Sequence, residues 1–215
     1  ERGGVPGDCD LLVVAGPKRA LFASEVDSIR LYLKGGGAGF FLLDPGVRTG
    51  LEGMLSEWAI RVGDDYVVDE SGLGRLSNLD YSMPVAASYG SHPITEKHHG
   101  QMTFYPLARS VDLARDVPGF ELSRLVLTSG TSWREMDGLG GRPRYDAGRD
   151  VRGPVCLAVS AKAPPGRTHV RADGLPQQHT HIVTFGDSDF ATTAFFDIQG
   201  NGDLFLNAVS WLLEE

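Results

Sequence analysis

This sequence predicts one α/β domain, a mainly parallel sheet with helices on both faces. Three observations carry that expectation. Apolar runs that do not alternate, Leu11 to Ala15 and Phe40 to Leu43, read as strands buried on both sides. Helical spacings fall between such runs. Strand, helix, strand, helix and strand follow one another between residues 10 and 68, the order that crossover helices give. A chain of 215 residues is long enough to bury a core without disulfide or metal.

The elements follow in order. Asp10-Leu-Leu-Val-Val-Ala15 is the first strand, ended by Gly16-Pro17. Ser24 and Asp27 resemble a capping box, and Val26, Ile29 and Leu33 then repeat at helical spacing until Gly35-Gly36-Gly37. Gly39 to Pro45 is a second buried strand with an acid at its end. Thr49 to Trp58 reads as a second helix and Tyr66-Val-Val68 as a third, shorter strand. Residues 69–100 show little periodicity and many turn formers. Met102 to Tyr105, Leu125 to Leu127, Pro154 to Ser160 and His181 to Phe185 read as further strands. Residues 129–153 read as a long surface excursion, and residues 162–179, rich in proline and charge, as a loop or hairpin tip. Asp203 to Leu213 closes the chain as a helix with Leu204, Ala208, Val209 and Leu212 on one face.

Composition narrows the function classes. Apolar residues make up 41% and charged residues 22%, ordinary globular usage that argues against disorder, collagen and coiled coil. A net charge of −8 argues against binding a phosphate backbone. No apolar run approaches the ~20 residues of a membrane helix. The chain opens Glu-Arg-Gly-Gly without an initiator methionine, so we expect it to be an excised part of a longer protein. Cys9 and Cys156 each sit beside an apolar run and read as buried thiols.

Ligands of an open parallel sheet collect beyond the carboxyl ends of its strands. That rule points to Gly16-Pro17, Asp44-Pro45, Thr128-Ser129 and Gly186-Asp187-Ser188-Asp189; the same residues also end strands simply because they turn well. Gly186-Asp187-Ser188 looks like the nucleophile block of the GDS-type serine hydrolases, but no histidine follows His181, and the block stands near the wrong end of the chain. Cys156 lies inside a strand without the elbow an amidotransferase-type nucleophile needs. His179 and His181 alternate and face one way on a strand, but beside a Pro-Gln-Gln loop they read as a solvated edge rather than part of a metal site. His92-Pro93 fits a turn and helix start as well as a site. Asp64, Asp65, Asp69 and Glu70 lack calcium-loop spacing and read as a solvated face. Gly35 to Gly39 follows a helix and precedes a strand, the reverse of a phosphate-binding loop. We assign neither cofactor nor metal.

Several blocks taken in order resemble one family. They are Gly35-Gly-Gly-Ala-Gly-Phe-Phe-Leu-Leu-Asp-Pro45; Leu55-Ser-Glu-Trp-Ala-Ile60 with Asp64-Asp-Tyr-Val-Val-Asp69; Tyr89-Gly-Ser-His-Pro-Ile-Thr95; Leu127-Thr-Ser129 with Ser132-Trp-Arg-Glu135; Gly153-Pro-Val-Cys-Leu-Ala-Val159; and Val183-Thr-Phe-Gly-Asp-Ser-Asp-Phe190 leading to Gly200-Asn-Gly-Asp-Leu-Phe-Leu-Asn-Ala-Val-Ser-Trp211. They resemble the soluble domain of the gliding-motility-type (GldG-like) auxiliary proteins of ABC transporters. The resemblance implies a Rossmann-like or flavodoxin-like three-layer sandwich, related to class I glutamine amidotransferase folds but without their catalytic residues. It also implies a domain tethered at the periplasmic face of the bacterial inner membrane, permease and ATPase subunits as partners, and a carbohydrate as a candidate ligand.

The expectation for function is therefore a non-catalytic accessory subunit. Its ligand-facing residues are Asp44, His92, Ser129, Trp133, Asp187 and Asp189, with Trp133 as an exposed stacking platform in a polar loop. The alternatives are a stand-alone glycan-binding or small-molecule-binding module and a hydrolase using Ser188.

Overall fold

The computed structural model describes residues 4–70, 81–86, 88–98, 100–140, 143–164 and 179–214. The first half runs β1 (Leu11–Ala15), α1 (Ala23–Lys34), β2 (Ala38–Leu42), α2 (Leu51–Leu55), a 3-10 turn over Ser56–Trp58, β3 (Ile60–Val62), β4 (Tyr66–Asp69), β5 (Val85–Ala86) and β6 (Ser88–Tyr89). The second half runs β7 (Thr103–Phe104), β8 (Val111–Leu113), β9 (Glu121–Leu127), β10 (Ser132–Glu135), β11 (Val151–Arg152), β12 (Cys156–Ala163), β13 (Thr180–Phe185), a 3-10 turn over Asp189–Ala191 and a helix here called α3 (Asn201–Leu212).

The largest sheet has six strands in the order β1-β2-β13-β12-β9-β6. Only β1, β2 and β13 run parallel. β12 is antiparallel to both β13 and β9, and β6 is antiparallel to β9. The three smaller sheets, β11-β10-β4, β3-β8 and β5-β7, are antiparallel throughout.

This overturns the mainly parallel, Rossmann-like or flavodoxin-like sandwich predicted above. The departure begins after the second crossover. The place beside β2 is covered on both faces, and β13 offers six buried residues for it where β4 offers three and ends on Asp69. The segment instead folds forward. β3 pairs with β8, and β4 leaves the main sheet to pair with β10. The place beside β2 goes to β13, supplied from far along the chain.

Local chemistry explains the elements that formed as expected. α1 buries Val26, Ile29 and Leu33 on one stripe. Its true cap is Phe22, whose N–H donates to the Glu25 carboxylate at 2.7 Å, so Ser24 lies inside the helix rather than before it. α3 begins at Asn201, a fully buried side chain that accepts from Phe104 N–H at 2.9 Å and donates to the Phe104 and Phe190 carbonyls. It buries Leu204, Ala208 and Leu212.

Two cores lie on opposite faces of the six-stranded sheet. One joins α3 to Phe40, Leu125, Leu157, Val183, Phe185 and Phe190. The other joins α1 and α2 to Phe41, Leu43, Val159, Ala161 and Ile182. Residues 129–153 are more than a surface excursion, because they contain β10 and β11 and bury Trp133 completely. Most of the predicted loop at 162–179 lies outside the described residues.

Candidate functional site

The carboxyl ends of β1, β2 and β13 lie side by side and bring Gly16, Asp44 and Asp187-Ser188-Asp189 together. Asp44, 9% exposed, organises the group. Its carboxylate accepts from Ser188 N–H at 2.7 Å, from Ser188 Oγ at 2.9 Å and from Lys18 Nζ at 2.7 Å. The hydrogen bond and charge of Asp44 raise the Lys18 pKa above its ordinary value, although the lysine side chain remains 75% exposed. Gly16 stands at φ +54°, and a Cβ there would lie 2.5 Å from Ser188 Oγ and 3.1 Å from Asp44 Oδ2. Only glycine lets the first strand end this close to the pair.

Asp187 has a different part. It is fully buried, and its two oxygens accept from Asp189 N–H at 2.9 Å and Phe190 N–H at 3.1 Å, capping the 3-10 turn. Burial raises its pKa well above the usual carboxylate range. Asp187 therefore holds the loop in shape and offers no free oxygen to a ligand. Asp189, half-buried, stands beside Ser188 at the rim.

Arg109, 1% exposed, supports the mouth from below. Its Nε donates to Gly63 O at 2.6 Å, and its Nη1 donates to Asp44 O and Val47 O, each at 3.1 Å. Arg109 N–H also donates to Gly186 O at 2.8 Å. Beside it opens a cleft of about 460 Å³ whose charged wall is Arg48, Glu52, Asp64 and Arg109. A larger concavity of about 1100 Å³ lies at the opposite, amino edge, between residues 4–10, Tyr32, Gly35 to Gly37 and the end of α3. Its lining includes Glu214 and, 3.5 Å away, His181, whose pKa burial lowers. The convergence of polar side chains is at the carboxyl edge, and we place the candidate site there.

The remaining predicted site residues do not join it. Ser129 follows β9 and donates to Asp69 Oδ1 at 2.7 Å. Between β9 and β2 stand β12 and β13, which separates Ser129 from Asp44. Trp133 is 0% exposed, with its indole N–H 3.2 Å from Glu135 Oε2 and its ring edge-on to Tyr145. No face is left for stacking, so the exposed platform expected there is corrected to a core residue. His92 lies over the face of the sheet. Its Nδ1 accepts from Ile94 N–H at 3.2 Å, its Nε2 meets Ser160 Oγ at 3.2 Å, and its ring packs on Trp211. Burial pushes its pKa down to about 4, so it is a neutral structural imidazole.

The acidic cluster is corrected in part, because Asp64 and Glu70 are exposed as expected while Asp65 and Asp69 are buried. Asp65 is 3% exposed, and its carboxylate accepts from Ser110 N–H, Ser110 Oγ and Arg134 Nε between 2.7 and 2.8 Å. Cys156 is buried and its pKa is pushed up to about 12, an unreactive thiol, whereas Cys9 is only half-buried. Sequence reading missed Lys18 and Arg109 entirely. The only signal for Lys18 was its place two residues past the strand-ending Gly16.

The comparisons with known proteins can now be set beside this geometry. A family model for the auxiliary component described as an ABC-type uncharacterized transport system matches residues 2–208. The chain belongs to this family. Membership makes it an auxiliary component of an ABC-type transport system. No curated protein matches it. Among solved structures it is similar to the mmIFT52 N-terminal domain, with a TM-score of 0.65 at 15% identity over 95% of this chain and 77% of that one. At that identity the likeness concerns the fold alone.

Proposed function

We propose that this chain is a single, non-catalytic, GldG-like accessory domain, tethered at the periplasmic face of a bacterial inner membrane. There it binds a permease or ATPase-associated partner, or an extracytoplasmic ligand, through the carboxyl edge of β1, β2 and β13. One observation carries the reading. A nearly buried carboxylate, Asp44, fixes an exposed lysine and a half-buried serine at one mouth, a preorganised polar recognition surface. The non-catalytic part is supported by the same hydrogen bonds. Ser188 Oγ donates into a carboxylate, while His92, His98 and His181 have partners elsewhere: Ser160, Gly200 O and Glu214. A carbohydrate ligand would have to be recognised without Trp133 and by hydrogen bonds alone.

The test uses membranes that carry the intact protein. They are washed with alkaline carbonate and solubilised in mild detergent, and the proteins that copurify are identified for wild type, Lys18→Met and Lys18→Glu. Retention with a permease and an ATPase, weakened in both lysine variants, is the expected result. A protein released by carbonate, or recovered without transporter subunits, overturns the reading.

A further inference from the structure

The concavity of about 1100 Å³ at the amino edge is larger than the cleft beside Arg109, and its wall is fixed by Tyr32. The phenol oxygen lies 3.2 Å from both Cys9 O and Ala38 O and accepts from Ala38 N–H at 3.2 Å, which ties residues 4–10 to the sheet. A Cβ at Gly37 would stand 2.4 Å from Tyr32 Cζ, so only glycine leaves room for that ring. Val5, Pro6, Leu31, Leu212 and Leu213 make part of the lining apolar. The polar part is acidic. Asp8, Asp10 and Glu214 line it, and among the described residues no lysine or arginine does. Two helices also end there. Lys34, in the last turn of α1, is drawn off to Glu57 at 3.1 Å, and the last turn of α3 has no basic residue. A helix C-terminus attracts a cation, and here both ends have carboxylates nearby instead. His181 then points to a ligand. Its side chain is 6% exposed and lines the cavity. Its ring is edge-on to Trp211, its Nε2 stands 3.5 Å from Glu214 Oε1, and no hydrogen bond joins either ring nitrogen to a described residue. Burial keeps the imidazole neutral, so one of those nitrogens is an open acceptor.

We propose that this cavity binds an organic cation, an ammonium or guanidinium group carried on an apolar body. The charged head donates N–H to the open nitrogen of His181 and lies among Glu214, Asp8 and Asp10. The body packs on the apolar lining. The lining selects this class over its rivals. An anion would meet three carboxylates and two helix ends of its own sign, with no basic side chain to hold it. A bare metal ion would need its ligands close together, and among the described residues no three His, Cys, Asp or Glu side chains close on one point. A neutral apolar molecule would leave the carboxylates and His181 without donors. The volume is just above the ~300–1,000 Å³ usual for small-molecule sites, room enough for a head and a body. The cavity lies at the edge opposite the Asp44 mouth, so the inference stands apart from the function proposed for that mouth.

The experiment is calorimetric titration of the purified chain with hexylammonium, hexanoate and hexanol, three probes that share a body and differ in charge. Hexylammonium is expected to saturate a single site, with hexanoate and hexanol inert at the same concentrations. Asp10→Asn and Glu214→Gln change exposed side chains, so both should melt like wild type. Each is expected to weaken hexylammonium about two- to fivefold, and the pair together more than either. His181→Phe keeps a ring against Trp211, removes the acceptor and should cost about tenfold. Should that variant unfold, nuclear magnetic resonance of wild type replaces it. The ring nitrogens of His181 should shift on binding, and those of His98, beside Gly200 at the other end of α3, should not. Lys18→Met, at the mouth, is expected to bind as wild type does. A blocked Lys-Leu dipeptide is titrated alongside. If it binds more tightly than hexylammonium, the cation is a side chain of a partner protein, and if more weakly, a free amine. Failure of both cations to saturate overturns the proposal. So does equal binding of hexanoate or hexanol, or an affinity unchanged in the double carboxylate variant.

Discussion

Replacing Asp44 with alanine separates the frame of the mouth from what it presents. The substitution strands Ser188 N–H and Oγ, each now held by a carboxylate oxygen. Hydrogen bonds to a charged group contribute about 1.5–3 kcal/mol each. Ser188 is half-buried, and water recovers part of each bond, so the low end applies and the two together come to about 3 kcal/mol. The ion pair to Lys18 adds little, because a lysine side chain 75% exposed is screened and such pairs contribute about 0–1 kcal/mol. In a chain of this size 1 kcal/mol moves the melting temperature by about 2–4 °C. Asp44→Ala should therefore lower it by about 6–12 °C, and Lys18→Met by no more than about 2–4 °C. Thermal and urea unfolding of the two single variants and the double variant measure this, and the double variant should match Asp44→Ala. If Lys18→Met falls as far as Asp44→Ala, the ion pair and not the serine loop holds the mouth together. If Asp44→Ala unfolds like wild type, Asp44 is not its organiser.

Other expectations follow from single contacts. Asp187 has its pKa raised by burial, so its stabilising contribution is complete below the ordinary carboxylate range and declines as pH rises through the folded-state value; the stability gap between wild type and Asp187→Asn, read by denaturant unfolding, should narrow from pH 4 to pH 8. His92 has the opposite sign, with a folded pKa near 4 against 6.5 for the free side chain. Its contribution is full above 6.5 and is lost as pH falls toward 4, so His92→Phe should shift the acid-unfolding midpoint to lower pH if the larger ring is accommodated against Trp211; circular dichroism follows it. A Cβ on Gly186 would stand 2.0 Å from Arg109 O, a backbone atom that cannot step aside. Gly186→Ala should lose about 3 kcal/mol in the same unfolding assays, and a loss below about 1 kcal/mol would show that the strand end can shift.

What the sequence revealed was local, and what it hid was partnership. The apolar runs at β1, β2, β12 and β13 were legible because strands flanked by packing on both sides need no polar alternation. α1 was legible from Val26, Ile29 and Leu33, yet its cap was misplaced, since Phe22 has no capping side chain and relies on Glu25. β4 looked the same as a parallel strand would. Its departure to β10 depended on a partner some sixty residues later, which leaves no periodic trace. Asp44 and Asp189 stood out because acids at strand ends are conspicuous, and both lie at the carboxyl edge of the parallel strands. Asp187 was found for the same reason and proved to be a cap. Trp133 was misread because a polar neighbourhood in sequence, Thr131 to Glu135, hid a strand whose tryptophan turns inward. Lys18 and Arg109 were invisible because a lysine in a loop and an arginine before a strand look the same whether they are solvated or structural.

Arg109 has a consequence for how force passes through the molecule. One guanidinium group clasps the carbonyls of Asp44, Val47 and Gly63, and its own backbone is tied to Gly186. Four separate stretches of chain thus move as one rigid ring around a single buried cation. A partner that pulls on the mouth cannot lift one loop alone. It tilts the whole ring, and the levers attached to it are β13, which ends beside Gly186, β3, which ends beside Gly63, and β8, which begins two residues after the arginine and grips β3. The mouth is therefore suited to passing strain into the body of the domain, because it does not absorb that strain locally.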